Sequence, residues 1–134
     1  MSAIVTGGGS GIGSAVVERL RRAGHDVAAW DLTGGDFTCD VSDPESVAVA
    51  LEQTIGAHGA PTRLVACAGI GASGLLLEQD PDDWRRVLDT NLTGSWLTMR
   101  AVARALVEAG NGGTIVAVSS ISGPVADRDM GAYR

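Results

Sequence analysis

Apolar residues along this chain follow two rhythms that take turns. Short unbroken runs, Ala3-Ile4-Val5, Val27-Ala28-Ala29-Trp30 and Leu64-Val65-Ala66-Cys67-Ala68, read as buried strands, and Thr114-Ile115-Val116-Ala117-Val118 reads as another. Phe37-Thr38-Cys39-Asp40-Val41 reads as a short strand. Between these runs the apolar spacing changes to three and four. Ser14-Ala15-Val16-Val17-Glu18-Arg19-Leu20 belongs to one helix, and Val47, Ala50, Leu51 and Ile55 mark a second. A long third helix is traced by Trp84, Val87, Leu88, Leu92, Trp96, Met99, Val102 and Leu106. Strands alternating with amphipathic helices predict an α/β fold, a doubly wound parallel sheet of about five strands with helices on both faces. In such a sheet the ligand sits at the carboxyl ends of the strands.

The punctuation agrees with this pattern. Arg22-Ala23-Gly24 places a cation and then a glycine at the end of the first helix. Ser42-Asp43-Pro44-Glu45 starts the second, with proline early and acids at the positive end of the helix dipole. That helix is expected to break at Gly56 and Gly59. Asp80-Pro81-Asp82-Asp83 caps the third helix, and Gly110-Asn111-Gly112-Gly113 stops it. One connection departs from the rule. Only Leu32-Thr33-Gly34-Gly35-Asp36 separates the second strand from the third, whereas a parallel crossover normally takes about a dozen residues or more. A bare loop and a very short third strand at the sheet edge are therefore expected. No internal repeat or linker divides the 134 residues, so residues 1–134 are expected to form one domain.

Composition removes whole classes of partner. A net charge of −6 argues against nucleic acid or an anionic membrane. No apolar run approaches the roughly 18 residues of a membrane span. The first strand begins almost at Met1 with no basic segment ahead of it, so no signal peptide is expected. Cys39 and Cys67 lie in apolar surroundings and read as buried free thiols of a reducing, cytoplasmic compartment. His25 and His58 each stand beside a glycine in expected turns, and no Cys/His spacing suggests a metal.

Chemistry concentrates in Thr6-Gly7-Gly8-Gly9-Ser10-Gly11-Ile12-Gly13. A strand that turns on glycines into a helix presents unpaired backbone N–H groups and the positive dipole end to an anion. Glycines there also let the backbone approach a pyrophosphate closely. Asp31 lies 18 residues beyond Gly13 at the end of the second strand, where a carboxylate can accept hydrogen bonds from an adenosine ribose. The same charge opposes a 2′-phosphate, and no nearby cation reverses it, so NAD is favoured over NADP. Asp31 could otherwise be a solvated turn residue. Ser120 and Tyr133, 13 residues apart, could be a strand-end hydroxyl and a surface aromatic. Asn91 is a poor helix former inside a good helix, so its side chain is expected to bond a backbone group or hold a water.

Five landmarks in order give these residues a context. The chain resembles the N-terminal half of a short-chain dehydrogenase/reductase, a family with a Rossmann-like fold. Thr6-Gly7-xxx-Gly11-x-Gly13 matches its glycine motif, and Asp40-Val41 sits where the family contacts adenine. Thr90-Asn91-Leu92 matches the segment bearing its catalytic Asn, Val118-Ser119-Ser120-Ile121-Ser122-Gly123 the segment bearing its catalytic Ser, and Tyr133 falls at the spacing of its catalytic Tyr. The resemblance implies hydride transfer between a nicotinamide and an alcohol or ketone carbon. Tyr133 would be the general acid or base, Ser120 would hydrogen-bond the substrate oxygen, and Asn91 would help order a proton-relay water. The cofactor would meet Gly7, Ser10, Gly11, Ile12, Gly13, Asp31, Leu32, Asp40, Val41, Cys67, Ala68 and Gly69.

The chain departs from the family at two places. The motif continues Tyr-x-x-x-Lys, but the chain stops at Arg134, before the position of the Lys. Without that Lys a tyrosine titrates near 10 and is poorly poised for proton transfer near neutrality. The chain is thus expected to be a truncated piece of a longer enzyme, inactive alone. At Ala66-Cys67-Ala68-Gly69 the family usually carries Asn before Ala-Gly, which weakens the expected cofactor contacts. The expected function is an NAD(H)-dependent oxidoreductase on a small-molecule alcohol or ketone, homo-oligomeric at full length, without metal, nucleic acid or membrane partner. The alternative is a non-catalytic nucleotide-binding module. Residues 125–130 are expected to line one wall of the substrate pocket.

Overall fold

In the computed structural model, which describes residues 2–124 and 131–133, five strands form one sheet. They are β1 (Ser2–Thr6), β2 (Asp26–Asp31), β3 (Phe37–Thr38), β4 (Pro61–Ala66) and β5 (Thr114–Ala117). All pairings are parallel and the order is β3-β2-β1-β4-β5. The helices are α1 (Gly11–Arg22), α2 (Pro44–His58), α3 (Pro81–Leu88) and α4 (Ser95–Glu108). A π turn, Asp89–Gly94, joins α3 to α4, and Gly131–Tyr133 forms a single 3-10 turn.

Alternation along the strands builds two cores. Ile4, Ala28, Trp30 and Leu64 point to one face, where Val47 and Ala50 of α2 and Leu97, Val102 and Leu106 of α4 close over them. Ala3, Val5, Val27 and Ala29 point to the other face, covered by Val16, Val17 and Leu20 of α1. The period of two in β1 and β2 thus divides the same short runs between two apolar layers. Trp30 is fully buried, with its indole N–H donating to Thr54 Oγ1 at 2.8 Å, and the Thr54 hydroxyl donates to the Ala50 carbonyl oxygen at 2.8 Å. A buried polar chain of this kind leaves no donor unpaired.

Helix starts follow their side chains. The Asp43 carboxylate accepts from the N–H groups of Glu45 and Ser46, and that of Asp80 from Asp82 and Asp83, each with proline next in sequence. A carboxylate at this position satisfies amides that have no partner in the helix and opposes the dipole's positive end.

Several boundaries differ from the sequence reading, each for a local reason. Helix α2 passes through Gly56 and ends at Gly59, since one interior glycine costs a helix only about 1 kcal/mol. Strand β4 starts at Pro61 and stops at Ala66, because the amides of Cys67 and Ala68 leave the ladder for the Thr6 hydroxyl. Strand β3 is cut to two residues, with the Asp40 amide going to Ser46 Oγ. The bare five-residue connection expected before β3 is present. The long apolar stripe also divides. Val87, Val102 and Leu106 are buried, while Trp84, Leu92 (67 % exposed) and Trp96 (53 % exposed) face outward. Full cover on both sheet faces fails at β5, whose four residues are all exposed. Cys39 is buried, whereas Cys67 is only half-buried.

Candidate functional site

The glycine turn, Asp31 and the Cys67–Gly69 segment hang from the carboxyl ends of β1 and its two neighbours, β2 and β4. After Thr6 the chain lifts off β1, and the Gly8 amide donates to the Trp30 carbonyl oxygen at 3.1 Å. The Gly9 amide donates to Asp31 Oδ2 at 2.9 Å. These two bonds tie the glycine turn to β2 and fix where α1 begins. Ser10 precedes α1 in extended conformation, and its side chain caps nothing. The first bond within the helix runs from Ser14 N–H to the Ser10 carbonyl oxygen, which leaves the amides of Gly11, Ile12 and Gly13 without helical acceptors. No acid stands in the first turn to oppose the dipole.

Gly13 shows why the turn is built from glycine. A Cβ there would overlap the Gly7 carbonyl oxygen, so the start of α1 lies directly on the end of β1. The result is a short cradle of open amides with a carboxylate on the next strand. That donor set fits a diphosphate followed by a ribose. The Asp31 carboxylate is already engaged, with Oδ2 on Gly9 and Oδ1 accepting from the Thr33 amide at 3.3 Å. Ile12 (66 % exposed) and Leu32 (63 % exposed) leave apolar surface on the two elements beside it.

The second part of the site forms where β4 ends. Thr6 Oγ1 accepts from the amides of both Cys67 and Ala68 at 3.1 Å, so those two N–H groups belong to the framework. The Cys67 side chain packs on the α1 face near Val65, and burial raises its pKa above the ordinary thiol value. Ala68 packs toward the opposite core. Beyond Gly69, Asn91 makes a two-way clasp on one residue: its Oδ1 accepts from Ile70 N–H and its Nδ2 donates to the Ile70 carbonyl oxygen, both at 2.8 Å. The π turn places Asn91 there. Wider bonding releases carbonyl groups that hydroxyls then recover, with Ser95 Oγ donating to the Asn91 carbonyl oxygen at 2.7 Å and Thr98 Oγ1 donating to that of Gly94 at 3.0 Å.

The remaining expected residues are more dispersed. Asp40 Oδ1 accepts from the Ser42 amide and hydroxyl, at 2.9 and 2.6 Å. Val41 is a core residue seated against Gly94. Ser120 follows β5, and its Oγ accepts from the Ser122 amide at 3.1 Å. Tyr133 sits in the turn beside α3, and no hydrogen bond among the described residues joins it to Ser120 or Asn91. The candidate pocket wall at residues 125–130, and Arg134, lie outside the described residues.

Two contributors were missed in the sequence. In the sequence Thr6 reads only as part of a motif, and its role depends on partners 61 and 62 residues away. Gln79 Oε1 accepts from the Ala132 amide at 3.1 Å, and its buried Nε2 has no partner among the described residues. No spacing or periodicity marks a glutamine in a loop for such a contact. Among the described residues there is no cluster of three His, Cys, Asp or Glu able to hold a metal, and no helix long and apolar enough to cross a membrane.

A family model described as short chain dehydrogenase matches residues 1–134. The chain is 39% identical to a (3R)-3-hydroxyacyl-CoA dehydrogenase of Canis lupus familiaris, covering 93% of this chain and 58% of that protein. It is 37% identical to a 2,5-dichloro-2,5-cyclohexadiene-1,4-diol dehydrogenase of Sphingobium indicum, covering 97% of this chain and 58% of the relative. The crystal structure of a short-chain type dehydrogenase/reductase from Mycobacterium marinum superposes with a TM-score of 0.91 at 34% identity, over 98% of this chain and 59% of that one. The chain thus spans less than two thirds of the length of these relatives.

Proposed function

The chain belongs to the short-chain dehydrogenase family, and from that premise we propose that it is the nucleotide-binding part of an NAD(H)-dependent oxidoreductase acting on a small alcohol or ketone. One observation carries the reading: the open amides of Gly11–Gly13 lie one strand away from the Asp31 carboxylate. Gly7, Ser10, Gly11, Ile12 and Gly13 would hold the diphosphate and Asp31 the adenosine ribose, with Leu32, Asp40, Val41, Cys67, Ala68 and Gly69 around the rest of the nucleotide. The bound nicotinamide would supply a hydride acceptor or donor. NAD is preferred over NADP because Asp31 repels added negative charge at the ribose.

The chain's own residues divide the remaining work. Asn91 clasps Ile70 and so fixes the segment leaving β4, and would help order a proton-relay water. Ser120 would donate a hydrogen bond to the substrate oxygen. Tyr133 would move the proton that an alkoxide gains or an alcohol loses. All five strands join one sheet, which supports a single nucleotide-binding domain, and the bare faces of β5 support a domain that extends further. Exposed Leu92, Trp96 and Val107 on and beside α4 support self-association. Two free cysteines support a reducing, cytoplasmic setting.

The test has two stages. NADH titrated into the 134-residue protein should bind, and Gly13→Ala should abolish binding because its Cβ overlaps the Gly7 carbonyl oxygen. In a protein carrying the rest of the fold, Tyr133→Phe should abolish alcohol oxidation and leave NADH binding intact. Binding without turnover on any alcohol, even in the longer protein, would favour a nucleotide-binding module instead. No binding at all would end both readings.

A further inference from the structure

The turn that carries Tyr133 is fastened to the fold by a side chain that no motif marks. Its middle residue, Ala132, is buried, and the Ala132 amide donates to Gln79 Oε1 at 3.1 Å across 53 residues of chain. Among the described residues no other hydrogen bond ties Gly131–Tyr133 to the rest of the protein. An amide N–H is met by the oxygen of a carboxamide and not by its NH2, so this contact also fixes which way round the Gln79 head lies.

The backbone of Gln79 is held on both sides. Before it, the Glu78 amide donates to the Leu75 carbonyl oxygen at 2.9 Å and closes a turn. After it, Asp80 caps α3 through the amides of Asp82 and Asp83. A side chain rooted between a closed turn and a capped helix transmits the position of α3 to whatever it bonds. The other partner is fitted to it as well. A Cβ at Gly131 would lie 2.9 Å from Gln79 Oε1 and 3.1 Å from Leu76 Cδ1, so the missing side chain at 131 is what lets the carboxamide reach the next amide.

We propose that Gln79 is a positioning residue for proton transfer: its carboxamide holds the Ala132 amide and thereby fixes the turn from which Tyr133 acts. This rests on the reading of Tyr133 as the proton carrier. Gln79 acts only through the backbone next to Tyr133. Misplacing a reacting group by about 1 Å can cost about 10²-fold in rate, so one such bond is enough to govern turnover.

Three variants of the protein carrying the rest of the fold separate the possibilities. Gln79→Met removes the acceptor at similar size, and Gln79→Glu keeps an acceptor. Gly131→Ala reaches the same bond from the other side by displacing Oε1. Alcohol oxidation is followed for each beside Tyr133→Phe, together with NADH affinity and hydrogen exchange at the Ala132 amide. Gln79→Met and Gly131→Ala should lower kcat by about 10–100-fold and change KM and NADH affinity by less than about twofold. Gln79→Glu should stay within about threefold of the wild-type rate. The Ala132 amide should be protected in the wild type and exchange about tenfold faster in Gln79→Met. The positioning role is overturned if the wild-type Ala132 amide exchanges as fast as an open one, a result that needs no variant to fold. It is also overturned if Gln79→Met leaves kcat unchanged, if the loss falls on KM or NADH affinity instead, or if Gln79→Glu fails to recover the rate. Activity retained by Tyr133→Phe overturns the reading of Tyr133, and a wild-type protein that does not bind NADH overturns the nucleotide reading; both are distinct from failure at Gln79.

Discussion

Replacing Thr6 by valine isolates the joint on which the site is built. The side chain is buried, and one oxygen accepts the amides of Cys67 and Ala68 at 3.1 Å, closing the end of β4 against the end of β1. Valine keeps the shape and removes the acceptor. Each buried amide left without a partner costs about 1–3 kcal/mol. Water can reach the strand ends, so the lower half of that range applies, and Thr6→Val should lose about 2–4 kcal/mol in all. Thr6→Ser keeps the oxygen and deletes a methyl group, a loss of about 1 kcal/mol. Against a typical total of about 5–15 kcal/mol the valine variant is badly weakened. With a urea slope of about 1–3 kcal/mol per molar, its unfolding midpoint should fall by roughly 1–2 M, far more than that of the serine variant. At urea concentrations where both remain folded, NADH should bind the valine variant more weakly, since the segment from Cys67 to Ile70 has lost its tie. Equal midpoints for the two variants would refute the account and show that strand pairing alone closes the joint.

Two further outcomes rest on buried groups. Thr54→Val should cost about 1–3 kcal/mol, because the indole N–H of Trp30 loses its acceptor in a dry layer, and the near-ultraviolet circular dichroism of the tryptophans should change with it. Burial pushes the Cys39 thiol up to about 11 from 9.0, with Asp40 and Asp43 adding to the rise and a hydrogen bond with Ser46 opposing it. Both folded and unfolded chains hold the proton below pH 9. As pH climbs from 9 toward 11 only the unfolded chain ionises, so stability should decline across that window, by about 3 kcal/mol at most, and then level off. The chain contains no lysine, which leaves few other side chains to titrate there. Denaturant midpoints measured against pH should show the slope in the wild type and lose most of it in Cys39→Ala.

What could be read in advance is what depends on near neighbours. Alternation in β1 and β2, the Asp43-Pro44 and Asp80-Pro81 caps and the glycine turn are all local, and each is where the residues put it. The short span from Leu32 to Asp36 correctly announced a truncated third strand. Asn91 stood out as an ill-fitting helix residue, and the wide turn with its backbone clasp explains the misfit. Spacing puts Leu92 and Trp96 on the buried stripe, but the π turn at Asp89–Gly94 shifts the face that points inward, and spacing alone cannot show an extra residue in a turn. Contacts such as Thr6 with Cys67, Arg21 with Asp36, and Gln79 with Ala132 pair residues that no period links. They exist only once the sheet has brought distant segments side by side.

The two margins of the sheet are unequal. On the β3 side, pairing lasts two residues, and the loop leading into it is held by the Arg21–Asp36 ion pair. On the β5 side, Thr114, Ile115, Val116 and Ala117 carry no charge, and among the described residues no strand pairs with the backbone donors and acceptors of their outer flank. Growth of the sheet is therefore one-directional: another strand finds a template beyond Thr114–Ala117 and a closed door at the opposite rim. The protein should consequently grow more prone to associate through that flank as its concentration rises, while the β3 margin stays clear.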